Sequence, residues 1–449
     1  MECSSNGFTE KGEKTIDDIV LSAYVKQAYI TPENQSFWFG YYNYSPENAN
    51  GDKLLAHHVE FDGRSITQED RAQIGWIDLN SGAWNPIDLT SAFNWQQGAM
   101  LQWLGESDCF IYNNADNGEF ISKEYNISTG EQCVHPWPVY GVLINPKISL
   151  TLQFKRSYWC RAYHYETIKD KAWDGPLPQN DGIFMLNLDS NEVERIISIE
   201  DIIRIDPDDS FKKAKHWVEH IMINPSGTRF AFYHRFTHSA GFTTRVFTAN
   251  IDGTDLRIIS GWREYSWSHM GWIDNQKFVI YGIKKNSTVQ AYRKLTEEHG
   301  KWGQILRKIY KKTLSKLITK QVRKRTQIPG SYQICDSIEG KITEEIPRGL
   351  FNLDGHPSFT KNGRYMLTDT YEDEESYRHL YIYDLLTKKR VELAKFYSPF
   401  NSCDYRSDLH PRFNYAENRV IVDSAHSGYH RIVGVDVDWD RIKHDLEET

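Results

Sequence analysis

The 449-residue sequence lacks most of the patterns that assign a chain to a common class of protein. Its six cysteines are scattered without a C-x-x-C pair, so neither a zinc knuckle nor a disulfide framework is indicated. No run of about 18 apolar residues predicts a membrane-spanning helix, and the polar first residues do not resemble a secretory signal. We therefore expect a cytoplasmic protein.

Common catalytic signatures are also absent. The sequence has no glycine-rich phosphate loop, H-E-x-x-H helix, serine elbow or kinase motif. A net charge of −8 gives no reason to expect nucleic acid as a partner. Aromatic residues are abundant, with 14 Trp and 26 Tyr. They favour a β-rich protein whose aromatic side chains could also stack on sugars or other rings.

One unit recurs along the chain, and this repetition is the main signal in the sequence. It consists of a short strand, a turn of the N-P-x-G or K-N-G kind, an alternating aromatic strand and often a third strand. Clear copies occupy 220–259, 356–393 and 410–437, and weaker copies begin near Ala28, Met100, Tyr140 and Trp267. A single sheet of this kind cannot bury both of its faces, so the seven sheets must pack against one another. Packing around a common axis closes them into a ring. The sequence predicts an all-β, seven-bladed β-propeller, with a pair of β-sandwiches as the alternative.

The propeller is expected to be a single domain spanning 18–440. It would lie between a polar N-terminal tail, 1–17, and a C-terminal tail, 441–449. A strand near Ile19–Val25 is expected to complete the last blade, because the unit starting at His410 is short of outer strands.

A basic helical insertion is predicted in the fifth blade, at about 286–328. Within it, 301–325 contains ten Lys or Arg and no acid, with apolar residues at helical spacing. Such a helix could dock peripherally on the anionic inner membrane or on an acidic partner. It could equally be a solvated helix that caps one end of the propeller.

Histidines recur at the edges of the repeated unit. His220, His269, His356 and His410 stand at or near the start of a first strand, and His234 stands at the end of a second strand. First strands line the axis of a propeller, so these side chains are expected to be neighbours. Asp354, Asp408, Arg235 and Arg412 stand close to them in sequence. Neutral imidazoles with nearby carboxylates suit a divalent cation such as Mn or Zn.

A second candidate surface is the string FKRSYWCRAYHYE at 154–166, which crowds arginine and tyrosine together. Arginine can hold a carboxylate bidentately, and tyrosine can stack on a sugar or donate a proton. The substrate-binding candidates are Arg156, Tyr158, Arg161 and Tyr165, with Gln97 in NWQQGA and with His410 and Arg412 in DLHPR. All of these groups could equally be structural.

Residues 216–437 resemble the oligogalacturonate lyase family (polysaccharide lyase family 22) and related seven-bladed TolB-like propellers. The resemblance runs through HIMINPSGTRFAFYHR, SHMGW, DGHPSFTKNGRYMLTDTY and DLHPRF. It implies cleavage of a uronate-containing glycan by β-elimination with help from a divalent metal. By position it also implies that His234 is the catalytic histidine and that His269 and His356 bind the metal.

The family's metal motif is incomplete in this chain. Phe351 and Asp354 stand where the family has glutamine and another histidine, so Asp354 is the candidate for the third ligand. Arg235 or Arg412 could replace the metal by pairing with the substrate carboxylate.

The leading hypothesis is a lyase acting on an acidic oligo- or polysaccharide. His234 would be the general base, His220 would assist it, and Arg235 would engage a carboxylate. One alternative is a glycoside hydrolase using two of the carboxylates of Asp354, Asp369, Asp408 and Asp423. The other is a non-catalytic glycan-binding or scaffold propeller in polysaccharide assembly.

Overall fold

A computed structural model describes residues 18–160, 163–238, 241–285, 330–400 and 404–448. Within these residues the strands form seven antiparallel sheets, six of four strands and one of five. Each sheet is built mainly from consecutive strands, as hairpin-forming repeats require. The predicted all-β, seven-bladed propeller is confirmed.

The strands follow one another around the ring, with the innermost strand first in most blades. Blade 1 contains β3 (Ser36–Trp38), β4 (Lys53–Val59), β5 (Ala72–Asp78) and β6 (Trp84–Thr90). Blade 2 contains β7 (Gln102–Trp103), β8 (Cys109–Asp116), β9 (Glu119–Asn126) and β10 (Gln132–His135). Blade 3 contains β11 (Gly141–Ile144), β12 (Lys147–Leu152), β13 (Gly182–Asn187) and β14 (Val193–Ser198). Blade 4 contains β15 (His216–Ile223), β16 (Arg229–His238), β17 (Gly241–Asn250) and β18 (Arg257–Ile258).

The last three blades complete the ring. Blade 5 contains β19 (Tyr265–Trp272), β20 (Lys277–Lys284), β21 (Ser331–Asp336) and β22 (Lys341–Glu345). Blade 6 contains β23 (Ser358–Phe359), β24 (Tyr365–Asp369), β25 (Tyr377–Asp384) and β26 (Lys389–Tyr397). Blade 7 contains β27 (Arg412–Phe413), β28 (Arg419–Ser424) and β29 (Arg431–Val437). Short helices α1 (Phe154–Cys160) and α2 (Ile199–Arg204) lie in and after blade 3, and α3 is Trp439–Glu448.

The N-terminal segment closes the ring, but with a different strand from the one expected. Strand β2 (Val25–Ile30) pairs with β29 and is the outer strand of blade 7. Strand β1 (Ile19–Leu21) pairs instead with β26 and extends blade 6. A tight turn, in which Val25 N–H donates to the Ser22 carbonyl, moves the chain from one sheet edge to the next. The expected closure near Ile19–Val25 is therefore corrected to Val25–Ile30.

The expected C-terminal tail, 441–449, is mostly helical. Helix α3 (Trp439–Glu448) packs on blade 6, and its Ile442 and Leu446 are buried in the core that this blade shares with blade 7. Their i, i+4 spacing places both side chains on one helix face, which explains the docking.

Two sequence predictions lie outside the described residues. These are the tail 1–17 and the insertion at about 286–328, which includes the basic segment 301–325. Docking of that segment on a membrane or on an acidic partner stays a prediction. Among the residues described, no helix has the length and apolar character needed to span a bilayer.

Middle strands have both faces buried because each blade is covered by two neighbours. Every residue of β21 and of β24 is buried, whereas the outer strand β22 contains only exposed and partly buried residues. The axis is filled by two adjacent tyrosines, Tyr41 and Tyr42, which follow the inner strand of blade 1. The core therefore brings the inner edges of distant blades together around these two rings.

Candidate active site at the propeller axis

A cavity of about 430 Å³ opens at one end of the axis. Its wall is formed by side chains from blades 1, 3, 4, 5 and 6 and from the connections between blades 1 and 2 and between blades 6 and 7. Representative lining residues are Ile66, Trp95, Tyr163, Arg235, His269, Tyr371 and Arg406. A concave site with aromatic walls and a few charged groups has the size and chemistry of a small-ligand pocket.

Four histidines lie next to one another at this end of the axis, with His269 in the cavity wall and the other three outside its lining. The ring centroids of His269 and His356 are 4.1 Å apart, those of His356 and His410 are 4.4 Å apart, and His220 lies 6.5 Å from His269. Tyr41 contacts both His220 and His410 from the axis. His220 and His269 lie within the inner strands β15 and β19, and His356 and His410 lie two residues before β23 and β27, so the four side chains meet as the sequence predicts.

Backbone irregularities direct these side chains inward. The pairing of β15 with β16 shifts register between Glu219 and Met222, and His220 has φ +56° there. His410 has φ +45° just before β27. A bulge of this kind re-aims a side chain, and a positive φ at a residue other than glycine is held by the surrounding structure. Two of the four axial histidines therefore adopt a left-handed backbone conformation.

Three groups are close enough to hold one cation. The potential ligand atoms of His356, Asp408 and His410 lie within 4.8 Å of one another, and all three residues are buried. The His356 Nδ1 lies 2.9 Å from Asp369 Oδ1, which leaves Nε2 as its ligand nitrogen. This set shares only His356 with the predicted ligands His269, His356 and Asp354.

Asp354 contacts His269 rather than the three-residue group. Its Oδ2 lies 3.1 Å from His269 Nδ1, and the Ser268 hydroxyl also donates to it. A carboxylate that accepts from Nδ1–H fixes the tautomer and leaves Nε2 with its lone pair. Since His269 lines the cavity, this Asp354–His269 pair presents an oriented imidazole there.

Burial keeps the central histidines neutral. It lowers the pKa of His220 to about 4 and holds the pKa of His356 and of His410 well below the ordinary value for histidine. Burial also raises the pKa of Asp369 to about 6, against the opposing hydrogen bond from His356. Neutral imidazoles are the form that binds metals.

Asp408 is ionised in spite of its burial. Burial alone would raise the pKa of this carboxyl, but Arg406 and Arg378 outweigh it and hold the pKa well below its usual range. Arg406 Nη2 lies 2.9 Å from Asp408 Oδ2, and Arg378 Nη1 lies 2.7 Å from Oδ1. A carboxylate oxygen has more than one lone pair, so these ion pairs do not exhaust its acceptor capacity.

Two arginines reach the cavity wall from opposite sides of the histidine group. Arg406 comes from the segment before β27, and Arg235 comes from β16. Arg235 is ion-paired with Glu219, and although burial opposes ionisation, Arg235 lowers the pKa of that carboxyl to about 2. Both guanidiniums are anchored by an acid, so each has a fixed position from which it can meet an anionic ligand.

His234 lies away from the cavity. It follows Tyr233 and precedes Arg235 in β16, so its side chain points to the opposite face of the sheet from Arg235. Its Nε2 lies 3.0 Å from His216 Nδ1, and the two rings stack inside blade 4. The ring is fully buried and does not line the cavity. His234 therefore does not suit the general-base role expected for it.

His220 lies beneath the wall rather than in it. It is 1% exposed, with its Nδ1 3.4 Å from Glu219 Oε1 and with Tyr163 packed on its edge at 5.1 Å. Its Nε2 has no hydrogen-bond partner among the described residues. The expected assisting role of His220 would thus act through Tyr163 or His269.

Most of the predicted substrate-binding residues are structural. Arg156 is buried and donates to the backbone carbonyls of Trp173, Gly175, Pro176 and His216. Arg412 is buried and donates to Asp423, Gly40 and His410. Tyr165 stacks on Phe154 and accepts a hydrogen bond from Asn113, and Gln97 donates to the Tyr140 hydroxyl. Tyr158 is partly buried outside the cavity lining, and Arg161 lies outside the described residues.

Three residues of the cavity wall, Tyr163, Tyr371 and Arg406, are not among the predicted site residues, whereas Asp408 is among the carboxylates expected near the histidines. Tyr163 lies in the crowded 154–166 string, in which Arg156, Tyr158, Arg161 and Tyr165 are the predicted ligand-binding residues. Tyr371 and Arg406 also line the wall, and Asp408 belongs to the cation-binding group. The string DYRSDLHPR contains both Arg406 and Asp408, so the i, i+2 alternation of charge before the last histidine was an available signal.

The fold is a seven-bladed propeller similar to those of solved oligogalacturonate lyases. A solved oligogalacturonate lyase in complex with manganese superposes over 94% of this chain and 95% of its own, with a TM-score of 0.61 and 14% identity. An oligogalacturonate lyase from Vibrio parahaemolyticus superposes over 94% of this chain and 97% of its own, with a TM-score of 0.57 and 15% identity. No family model and no curated protein matches the sequence. The likeness at this identity is one of fold.

Proposed function

We propose that this protein is a metal-assisted lyase that cleaves a uronate-containing oligo- or polysaccharide by β-elimination. The observation that carries the proposal is the axial cavity, where two anchored arginines face an oriented histidine above a buried cation-binding group. The similarity of fold to two oligogalacturonate lyases supports the same conclusion.

The cation would be held by His356, Asp408 and His410. The residues fit because both imidazoles are neutral and because Asp369 orients His356 through Nδ1. Manganese is the first candidate, since one similar lyase was solved with it, and zinc suits the same imidazole and carboxylate donors. When bound, a divalent cation would offset the substrate's negative charge as the carbanion-like state develops.

Arg235 and Arg406 would engage the substrate carboxylate. A guanidinium neutralises that group, so the adjacent C5–H becomes more acidic. His269, oriented by Asp354, would take the C5 proton on Nε2. The electron pair of the C5–H bond then forms the C4=C5 double bond as the C4–O bond breaks.

Hydrolysis by the four carboxylates named from the sequence is disfavoured by the contacts that they already make. Asp354 binds His269, Asp369 binds His356, and Asp408 binds two arginines. Asp423 accepts from the backbone of Phe39 and Gly40 and from Arg412. None of the four lines the cavity.

The test is incubation of the purified protein with a panel of uronate-containing oligosaccharides, with and without Mn²⁺. Elimination produces a conjugated double bond, which is followed by its ultraviolet absorbance. His269→Gln and Arg406→Gln should each lower the rate by about 100-fold or more, whereas Arg257→Gln, on the exposed edge of blade 4, should not. Absence of an absorbance increase across the panel with metal supplied would exclude the lyase assignment.

A further inference from the structure

The β-elimination leaves one chemical requirement unmet by the groups assigned so far. The departing sugar oxygen is an alkoxide unless it receives a proton as the C4–O bond breaks, and an alkoxide is a poor leaving group. A donor must hold a proton at neutral pH and must lie in the cavity wall. Two phenols there satisfy both conditions, Tyr163 and Tyr371.

We infer that Tyr163 is the catalytic acid that protonates the leaving oxygen, an inference that rests on the proposed lyase function. Its backbone carbonyl accepts a hydrogen bond of 3.1 Å from Asn94 Nδ2, which fixes the loop of blade 3 to the connection between blades 1 and 2. Its ring packs edge-on against His220 at 5.1 Å. Tyr163 is thus fixed at its backbone by Asn94 and at its ring by His220.

The charges around Tyr163 suit proton donation. Burial raises the pKa of Tyr163 to about 12, so the hydroxyl is protonated throughout the neutral range. Arg406 and Arg235 act in the opposite direction and favour the phenolate. The two guanidiniums that meet the substrate carboxylate would therefore also stabilise the charge left on Tyr163 after the proton departs.

Tyr371 lies on the side of the cavity that holds the base and the cation-binding group. Its ring is 6.1 Å from that of His269 and 6.0 Å from that of His356. Tyr163, by contrast, comes from blade 3 and approaches from another wall. Separate walls allow one group to take the C5 proton while the other meets the oxygen on C4.

The proton balance is complete without a further reactant. His269 gains the C5 proton, the C4–O bond breaks with its electron pair on oxygen, and the Tyr163 hydroxyl gives its proton to that oxygen. The products are a 4,5-unsaturated uronate and a sugar with a free hydroxyl. Loss of the proton from His269 to solvent and its return to the phenolate restore the starting state.

The experiment compares two substrates that differ only in the leaving group at C4. One is a uronate disaccharide, whose leaving sugar oxygen needs a proton, and the other is the matching 4-fluoro uronate, whose fluoride needs none. Tyr163→Phe should lower turnover of the disaccharide by about 100-fold or more, while its turnover of the fluoride stays within a few-fold of wild type. Turnover of the fluoride also shows that the variant is folded.

Tyr158→Phe is the matched control, because this tyrosine lies in helix α1, just before Tyr163 in the chain, and does not line the cavity. It should leave both rates unchanged. If Tyr163→Phe lowers turnover of both substrates equally, Tyr163 binds or positions the sugar, and the inference is overturned. An unchanged rate of Tyr163→Phe on both substrates would also overturn the inference. It would be overturned as well if Tyr371→Phe, and not Tyr163→Phe, lost turnover of the disaccharide alone. If wild type eliminates neither substrate, it is the proposed function that fails.

Discussion

At the scale of single residues, the face of the strand decides which histidine can act on a substrate. His234 and Arg235 are adjacent, yet only Arg235 lines the cavity, because successive side chains of β16 point to opposite faces. His234 instead contacts His216 and Arg245 in the interior of blade 4. Its contribution is therefore to stability.

His234→Ala should destabilise the protein and leave its chemistry intact. The substitution removes a stacked ring and leaves His216 Nδ1 without its partner, at a cost of about 2–4 kcal/mol in the free energy of unfolding. Urea denaturation measures the loss, and kcat of the folded protein should stay near wild type. His269→Gln provides the contrast, with a small change in stability and a large loss of kcat. A fall of kcat in His234→Ala at unchanged stability would restore it as the base.

Residue types and register predict which histidines meet, but not which acids accompany them. The four first-strand histidines share a position in the repeat, so their convergence follows from the fold. Asp408 in the cation-binding group is held by Arg406, two residues before it, and by Arg378 of blade 6, and the local sequence indicates only the first of these contacts. Likewise, the sequence does not indicate that the long side chain of Arg156 points into the protein, where it donates to backbone carbonyls instead of meeting a ligand.

At the scale of elements, the closing strand holds the ring together. Strand β2 pairs with β29 along Val25–Ile30, which joins the first described residues to the last blade. Gly434 of β29 allows the ring of Tyr29 to pack against it, since an added Cβ would lie 2.6 Å from that ring. The repeated hairpin pattern predicts the blades, because each hairpin joins neighbouring residues. The pairing of β2 with β29 joins residues about 400 positions apart, so the sequence predicts only approximately which N-terminal residues form it.

A variant that begins at Thr31 should lose much of its stability. It lacks β1 and β2, so the backbone edge of β29 is left without its partner and the ring is open. We expect a lower melting temperature and faster proteolysis than in a variant that begins at Asp18, which retains every described strand. Equal melting temperatures for the two variants would show that the ring does not depend on this closure.

At the scale of the whole molecule, buried neutral histidines make the fold sensitive to acid. Burial lowers the pKa of His57, His220 and His426 to about 4, and His234, His356 and His410 lie well below the ordinary value. The unfolded chain binds these protons near pH 6.5, so their contribution is fully present above that pH and is lost as pH falls toward 4.

Two buried acids act in the opposite sense. Burial raises the pKa of Asp369 to about 6 and that of Asp181 to about 7, so each favours the folded state at lower pH and ceases to do so above its folded pKa. Six histidines outnumber them, and thermal melts should show stability falling between pH 6.5 and pH 4. A melting temperature that stays level or rises over that interval would contradict the burial of the histidine group.

The central claim is that the axial cavity eliminates rather than hydrolyses, and the masses of the products test it most directly. Mass spectrometry of the products from wild-type protein and a uronate disaccharide should give two masses whose sum equals that of the substrate. One of them should be the unsaturated uronate, and it should be absent with His269→Gln. Products that together carry the mass of one added water would contradict the account, because they would require a hydrolytic site that these carboxylates do not form.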